Sequence, residues 1–181
     1  MHSIYMIMVD RETRRKYIIL DKETGAILSD VFDFLVGWEI KRSLRYQDFA
    51  TLLILEPDRR PRAPETLGTL VTLIKKNIRE TDLTGRIGTI RFGVLLLKSD
   101  LDGAYSTASR IMDHVSKYIF SQEKAQHLTV SIGGACFPTN LTSKERSDLF
   151  KKAEDAFKVA KDKGENIYFP DLSVSKNFGG E

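Results

Sequence analysis

The spacing of apolar positions changes along the chain, and each change predicts an element. Two β-rich runs come first, Ile4–Val9 and Lys16–Leu28, separated and interrupted by the polar turns "DRETRR" and "DKETG". This pattern predicts a small antiparallel hairpin or three-stranded ribbon. Ser29 or Asp30 is a candidate N-cap for the helix over "VFDFLVGWEIKRSLRYQ", which gathers Phe34, Leu35, Trp38 and Leu44 roughly on one side. "DFATLLILE" (Asp48–Glu56) has a continuous apolar centre and reads as a central strand. The proline-rich "PDRRPRAP" that follows excludes helix and central strand.

From Glu65 to Arg79, Leu67, Leu70, Val71, Ile74 and Ile78 recur at three- and four-residue steps, which predicts a helix. Arg86 to Leu97 reads as a β-hairpin turning near Gly88. Asp102 to Phe120 reads as a helix with Ala104, Ala108, Ile111, Met112, Val115 and Ile119 inward. "HLTVSIGGACF" is a further strand, and Ser147 to Lys163 a helix with Leu149, Phe150, Ala153, Ala156, Phe157 and Ala160 inward. Gly164 stops that helix and "NIYF" closes the order with a strand.

The order from Asp48 is β-α-β-β-α-β-α-β. It predicts an α+β, ferredoxin-like or nucleotidyl-cyclase-like domain: a mostly antiparallel central sheet of about five strands with helices on one face, preceded by an N-terminal β-ribbon. The expected boundaries are a ribbon at 1–29, the domain at 30–170, and a loosely held tail at 171–181.

Composition narrows the function classes. Of 181 residues, 41% are hydrophobic and 29% charged, a composition for a real core and a solvated surface. The net charge of +3 allows an anionic ligand without demanding a nucleic-acid polymer as partner. With Cys136 as the one cysteine, an internal disulfide and a cysteine-based metal site are excluded, and a cytoplasmic setting fits. "IYMIMV" is too short for membrane insertion. His2, His114 and His127 are scattered, and no P-loop or dinucleotide-binding glycine motif is present.

Three stretches carry a resemblance. "LTVSIGGACFP", "LFKKAEDAFKVAKDKGENIYF" and the hairpin "GRIGTIRFGVLLL" resemble the C-terminal half and the signature hairpin of GGDEF domains, the diguanylate cyclases. Ser131-Ile132-Gly133 and Ala153 to Asn166 match most closely, and the resemblance extends over about Asp30 to Phe169. In that family a strand ends in Ser-Ile-Gly, and two domains join two GTP into cyclic di-GMP. Two divalent cations held by carboxylates activate the attacking hydroxyl and neutralise the triphosphate.

Laid on the family's motif, Gly88 and Thr89 fall on its two glycines, Ile90 on its aspartate, Arg91 on its glutamate and Phe92 on its phenylalanine. Ile90 has no oxygen to offer, and Arg91 puts a fixed positive charge where a metal belongs. Two like charges 4 Å apart repel by roughly 4 kcal/mol near a protein surface. Glu56 stands where the family has its other metal acid, and Lys161 where it has a phosphate-binding lysine. Pro64 replaces a guanine-reading acid and Glu165 a phosphate-binding arginine. The resemblance therefore implies a catalytically inactive homologue, with Glu56 and Lys161 left over from the GTP site and no Mg2+ or other cofactor expected.

The family's product-binding inhibitory site is an Arg-x-x-Asp ending five residues before the hairpin motif. Arg79-Glu80-Thr81-Asp82 ends at that distance from Gly88, and ungapped alignment from Phe92 puts Arg110 on the site's second arginine. An arginine fork donates to guanine O6 and N7, and a carboxylate accepts from the opposite, donor edge. "RYQD" at Arg45 and "RIMD" at Arg110 also fit the bare pattern, but only Arg79 has the hairpin context.

Three functions follow as alternatives. The first is a cyclic di-GMP receptor using Arg79, Asp82 and Arg110. The second is a nucleotide-independent module that forms a homodimer or docks on a downstream protein partner. The third is an active cyclase.

Overall fold

The computed structural model describes residues 8–9, 16–17, 19–61, 63, 65–120, 127–139, 146–164 and 166–170. Strands β1 (Met8–Val9) and β2 (Lys16–Tyr17) pair antiparallel as a small hairpin, with Met8 opposite Tyr17. The chain then turns back through a bridge between Leu20 and Ile27 into β3 (Ile27–Leu28). Helix α1 (Ser29–Tyr46), strand β4 (Ala50–Pro57) and helix α2 (Glu65–Lys76) follow. Then come β5 (Leu83–Arg86), β6 (Phe92–Leu97), α3 (Leu101–Lys117), β7 (Val130–Phe137), α4 (Arg146–Lys163) and β8 (Ile167–Tyr168).

The main sheet has six strands in the order β3-β5-β6-β4-β7-β8. The three inner pairings are antiparallel and the two outer ones parallel. This is the expected α+β plan, with six strands where about five were expected. The extra edge strand, β3, lies within the stretch 1–29 read as a separate ribbon.

The expectation of helices on one face is corrected. β4 is buried along all eight residues, so both of its faces need cover. Leu53 and Leu55 face a core built from α2 and α3, with Leu70, Ile74, Ala108 and Ile111. Leu52 and Ile54 face a second core built from α1 and α4, with Phe32, Val36, Leu149 and Phe157.

Several boundaries also move. α1 is capped at Leu28 without a side-chain bond, so neither Ser29 nor Asp30 is its N-cap. Its inward residues are Phe32, Val36, Ile40 and Ser43, whereas Phe34, Trp38 and Leu44 face outward. α2 stops at Lys76, short of Arg79, because Asn77 turns its amide back onto the Leu73 carbonyl. α3 starts from Asp100, whose carboxylate accepts from the Gly103 amide at 3.0 Å, and ends at Lys117. Ile119, expected inward, lies beyond that end and is exposed.

Ser131-Ile132-Gly133 sits inside β7 and not at its end. The glycine is required there by a close approach: a Cβ on Gly133 would meet the Phe157 backbone nitrogen of α4 at 2.0 Å. Alanines at 153, 156 and 160 continue the same tight helix–sheet contact. Among the described residues no helix is long and apolar enough to cross a membrane.

Gly133→Ala is therefore expected to destabilise the chain by about 3 kcal/mol or more, because the neighbour is backbone and cannot swing aside. Thr72→Ala, on the exposed face of α2, is expected to stay within about 0.5 kcal/mol. Urea denaturation of both variants measures the difference.

Candidate functional site

The hairpin between β5 and β6 turns through Ile87 to Arg91, and the Ile87 and Gly88 amides both donate to the Arg91 carbonyl, at 3.0 and 3.2 Å. Arg86 braces the turn from below by donating to the Thr89 carbonyl at 2.8 Å. The same guanidinium reaches Asp21 at 2.9 Å and Glu23 at 2.6 Å. Asp21 in turn accepts from the Thr24 amide and hydroxyl, so the "DKETG" turn is clamped to the hairpin. The sequence alone predicts a polar turn there and no partner for it. The Asp-x-x-Thr spacing was a local signal for the turn, but nothing in the sequence joined it to Arg86.

Ile90 and Arg91 point to different sides of the sheet. Ile90 packs against the α2–α3 core. Arg91 lies over the Phe157 ring at 4.7 Å on the α1–α4 side. It donates to Glu56 at 3.0 Å and to Glu154 at 2.9 Å. Lys161 takes the other Glu56 oxygen and lies 5.6 Å from the centre of the Phe157 ring. Glu56, Arg91 and Lys161 are thus brought together at the end of β4. Glu154 and Phe157 complete the cluster and were missed as members.

Glu56 is 9% exposed. Burial pushes its carboxyl up, but hydrogen bonds from Lys161 and Arg91, and the charge of both, outweigh that and hold it below the ordinary carboxylate value. Two acids and two bases balance the cluster. Both Glu56 oxygens are committed to cations of the chain itself.

On the α2–α3 side, Arg79, Asp82 and Arg110 line one cavity of about 500 Å³, with Lys76, Ser106 and Thr107 on its wall. Arg79 and Asp82 lie in a tight turn after α2, in which the Asp82 amide donates to the Arg79 carbonyl at 3.0 Å. The Asp82 carboxylate accepts from the Arg79 amide at 2.8 Å and from the Leu97 amide at 2.9 Å. It is a structural cap as well as a candidate ligand, and each oxygen keeps a lone pair for a further donor. Arg110 donates to the Asn77 carbonyl at 2.6 Å, which tethers it to the end of α2. The positions of Pro64 and Glu165 lie outside the described residues.

The model of the family described as "Diguanylate cyclase, GGDEF domain" matches residues 62–167. The chain is 31% identical over 109 residues to the Probable diguanylate cyclase DgcT of Escherichia coli (strain K12), covering 59% of this chain and 24% of that protein. It is 33% identical over 104 residues to the Uncharacterized protein YhcK of Bacillus subtilis (strain 168), covering 56% and 28%. The chain spans about a quarter of the length of these curated relatives. In fold it is similar to the GGDEF domain of DgcB from Caulobacter crescentus, solved in complex with c-di-GMP, with a TM-score of 0.77 at 15% identity over 86% of this chain and 94% of that one. The FimX GGDEF domain from Pseudomonas aeruginosa gives 0.75 at 19% identity over 83% and 98%.

The depressed Glu56 carboxyl has a pH consequence. Its contribution to stability is complete above the ordinary value of 4.5 and is lost as pH falls through the lower folded value. Glu56→Gln is expected to flatten the acid limb of Tm against pH between about 5 and 3. At pH 7 it is expected to cost about 1–3 kcal/mol, because the amide removes the negative charge shared by Arg91 and Lys161 and keeps an acceptor oxygen for only one of them. Thermal melts across that range measure both effects.

Proposed function

The chain belongs to the GGDEF family of diguanylate cyclases, and from that premise we propose that it is a catalytically inactive member that binds cyclic di-GMP as a receptor. The observation that carries the binding half is the cavity that gathers Arg79, Asp82 and Arg110. Its volume is in the usual range for a small-molecule site. The DgcB domain was solved in complex with c-di-GMP, which makes that ligand a natural first probe for a chain of the same fold. The arginine forks suit the O6/N7 edge of guanine and the ligand's phosphates. Asp82, pre-oriented by two backbone amides, suits the guanine N1–H and amino edge.

The loss of catalysis rests on the Glu56 cluster. A divalent cation needs hard oxygen donors, and here the one acid at the end of β4 is already paired on both oxygens. Arg91 adds a permanent charge at the place of a ligand, and Ile90 is turned into the opposite core. These residues do not fit a metal ion.

Calorimetric titration is expected to give a micromolar or tighter Kd, and purified protein with GTP and Mg2+ or Mn2+ is expected to make no cyclic di-GMP above a no-protein control. Arg79→Ala is expected to weaken binding at least about tenfold, the loss of one good fork on a base edge. Arg110→Ala should lose less and show the smaller salt slope of a lost phosphate contact. Asp82→Asn is the better probe of guanine reading than Asp82→Ala, since asparagine keeps one acceptor for the turn. It should let cyclic di-AMP compete better. No heat at about 100 µM ligand, or clear turnover of GTP, would sink the corresponding half of this reading.

A further inference from the structure

The outward face of α1 carries the two most exposed large hydrophobic side chains among the described residues. Phe34 and Trp38 are each 63% exposed, and Leu44 is 42% exposed. At 3.6 residues per turn, Asp30, Phe34, Gly37, Trp38, Lys41, Leu44 and Arg45 fall in one stripe about 120° wide. The core-facing residues Phe32, Val36, Ile40 and Ser43 lie on the opposite side. The stripe is therefore not needed to hold α1 on the sheet. Among the described residues nothing buries it.

The order of residues along the stripe is self-complementary. Asp30 is at the N-terminal end, the aromatic pair and Gly37 are near the middle, and Lys41 and Arg45 are at the C-terminal end. We propose that this face pairs with the same face of a second copy of the chain, α1 against α1, antiparallel, about a two-fold axis between Gly37 and Trp38.

That axis sets every residue of the stripe against a suitable partner. Asp30 meets Arg45 of the second copy at both ends, where opposite charges attract. Phe34 meets Lys41, whose alkyl stem covers the ring while its ammonium stays over the ring's negative face. Val31 meets Leu44. At the centre Gly37 meets Trp38. A glycine in mid-helix costs about 1 kcal/mol of helix propensity, and here it lets the two axes approach and receive the indole. A parallel pair would set Asp30 on Asp30, Lys41 on Lys41 and Arg45 on Arg45, which like-charge repulsion disfavours.

The area is adequate for a reversible dimer. Aromatic side chains bury about 150–250 Å² each, so the exposed parts of four rings supply roughly 500 Å². The stems of Lys41, Leu44 and Arg45 bring the total toward the ~1,000 Å² that marks a specific interface. The contact is isologous, so it closes at two copies and forms no fibre. It uses none of the ion pairs of the Glu56 cluster, although Asp30 lines a cavity with Arg91 and Glu154, and it lies apart from the cavity at Arg79, so it stands without the receptor reading.

Sedimentation velocity of the full chain without nucleotide tests it, from about 1 to about 200 µM, the range of a micromolar contact. Wild type should move from monomer to dimer across that range. Trp38→Ser should stay monomeric, and Phe34→Ser gives a second reading of the same stripe if the first variant loses its fold by circular dichroism. Asp30→Lys and Arg45→Asp should each weaken the dimer at least tenfold. The double variant Asp30→Lys/Arg45→Asp should recover to within about threefold of wild type, because the reversed charges face each other again. A wild-type monomer at the top concentration overturns the proposal, and so does a dimer untouched by the stripe variants. A double variant no tighter than the singles overturns the antiparallel arrangement.

Discussion

β4 has to be covered twice. All eight of its residues are buried, with Leu53 and Leu55 on one face and Leu52 and Ile54 on the other. Each face is mostly apolar, Thr51 and Glu56 being the polar members, and its apolar area would be penalised by water at about 25 cal/mol per Å². α2 and α3 close one face, α1 and α4 the other, and the hairpin strand β6 and strand β7 take its two edges. The place where β4 ends then becomes the meeting point of the β5–β6 turn and α4. Glu56, Arg91 and Lys161 come together because the core brings three elements to one spot.

At that spot the charges decide the chemistry. A buried carboxylate needs compensation, and two cations of the same chain provide it, with Glu154 balancing the second. The Phe157 ring beneath Arg91 and Lys161 adds a negative face to the arrangement. The cluster is a closed ionic network around an acid. In the proposed reading it is what replaces a metal-binding site.

The opposite side of the sheet keeps an open arrangement. The Arg79–Asp82 turn is held by the Asp82 amide, which donates to the Arg79 carbonyl, and by the Asp82 carboxylate, which accepts from the Arg79 and Leu97 amides, and both residues line a cavity. Asp82 does two jobs with one carboxylate. The hairpin and the turn are joined by the Asp82 carboxylate, which accepts from the Leu97 amide of β6, and only five residues separate Asp82 from Gly88. Within the hairpin the sides divide at adjacent residues, with Ile90 against the α2–α3 core and Arg91 over Phe157 on the α1–α4 side.

The sequence by itself determined the element order, the hairpin and the tight contact along Ala153 to Ala160. These were legible because periodicity, turn chemistry and motif spacing are local. It did not determine that helices cover both faces, since a continuous apolar run has no period to say which neighbour takes which side. It placed Trp38 and Phe34 together but could not say outward, because Phe32, Val36 and Ile40 offered α1 an equally apolar stripe and only the sheet chose between them. It could not join Arg86 to Asp21 and Glu23, or Arg91 to Glu154, across more than sixty residues of chain. Those pairs exist only once the strands are in register, and tertiary structure alone sets that.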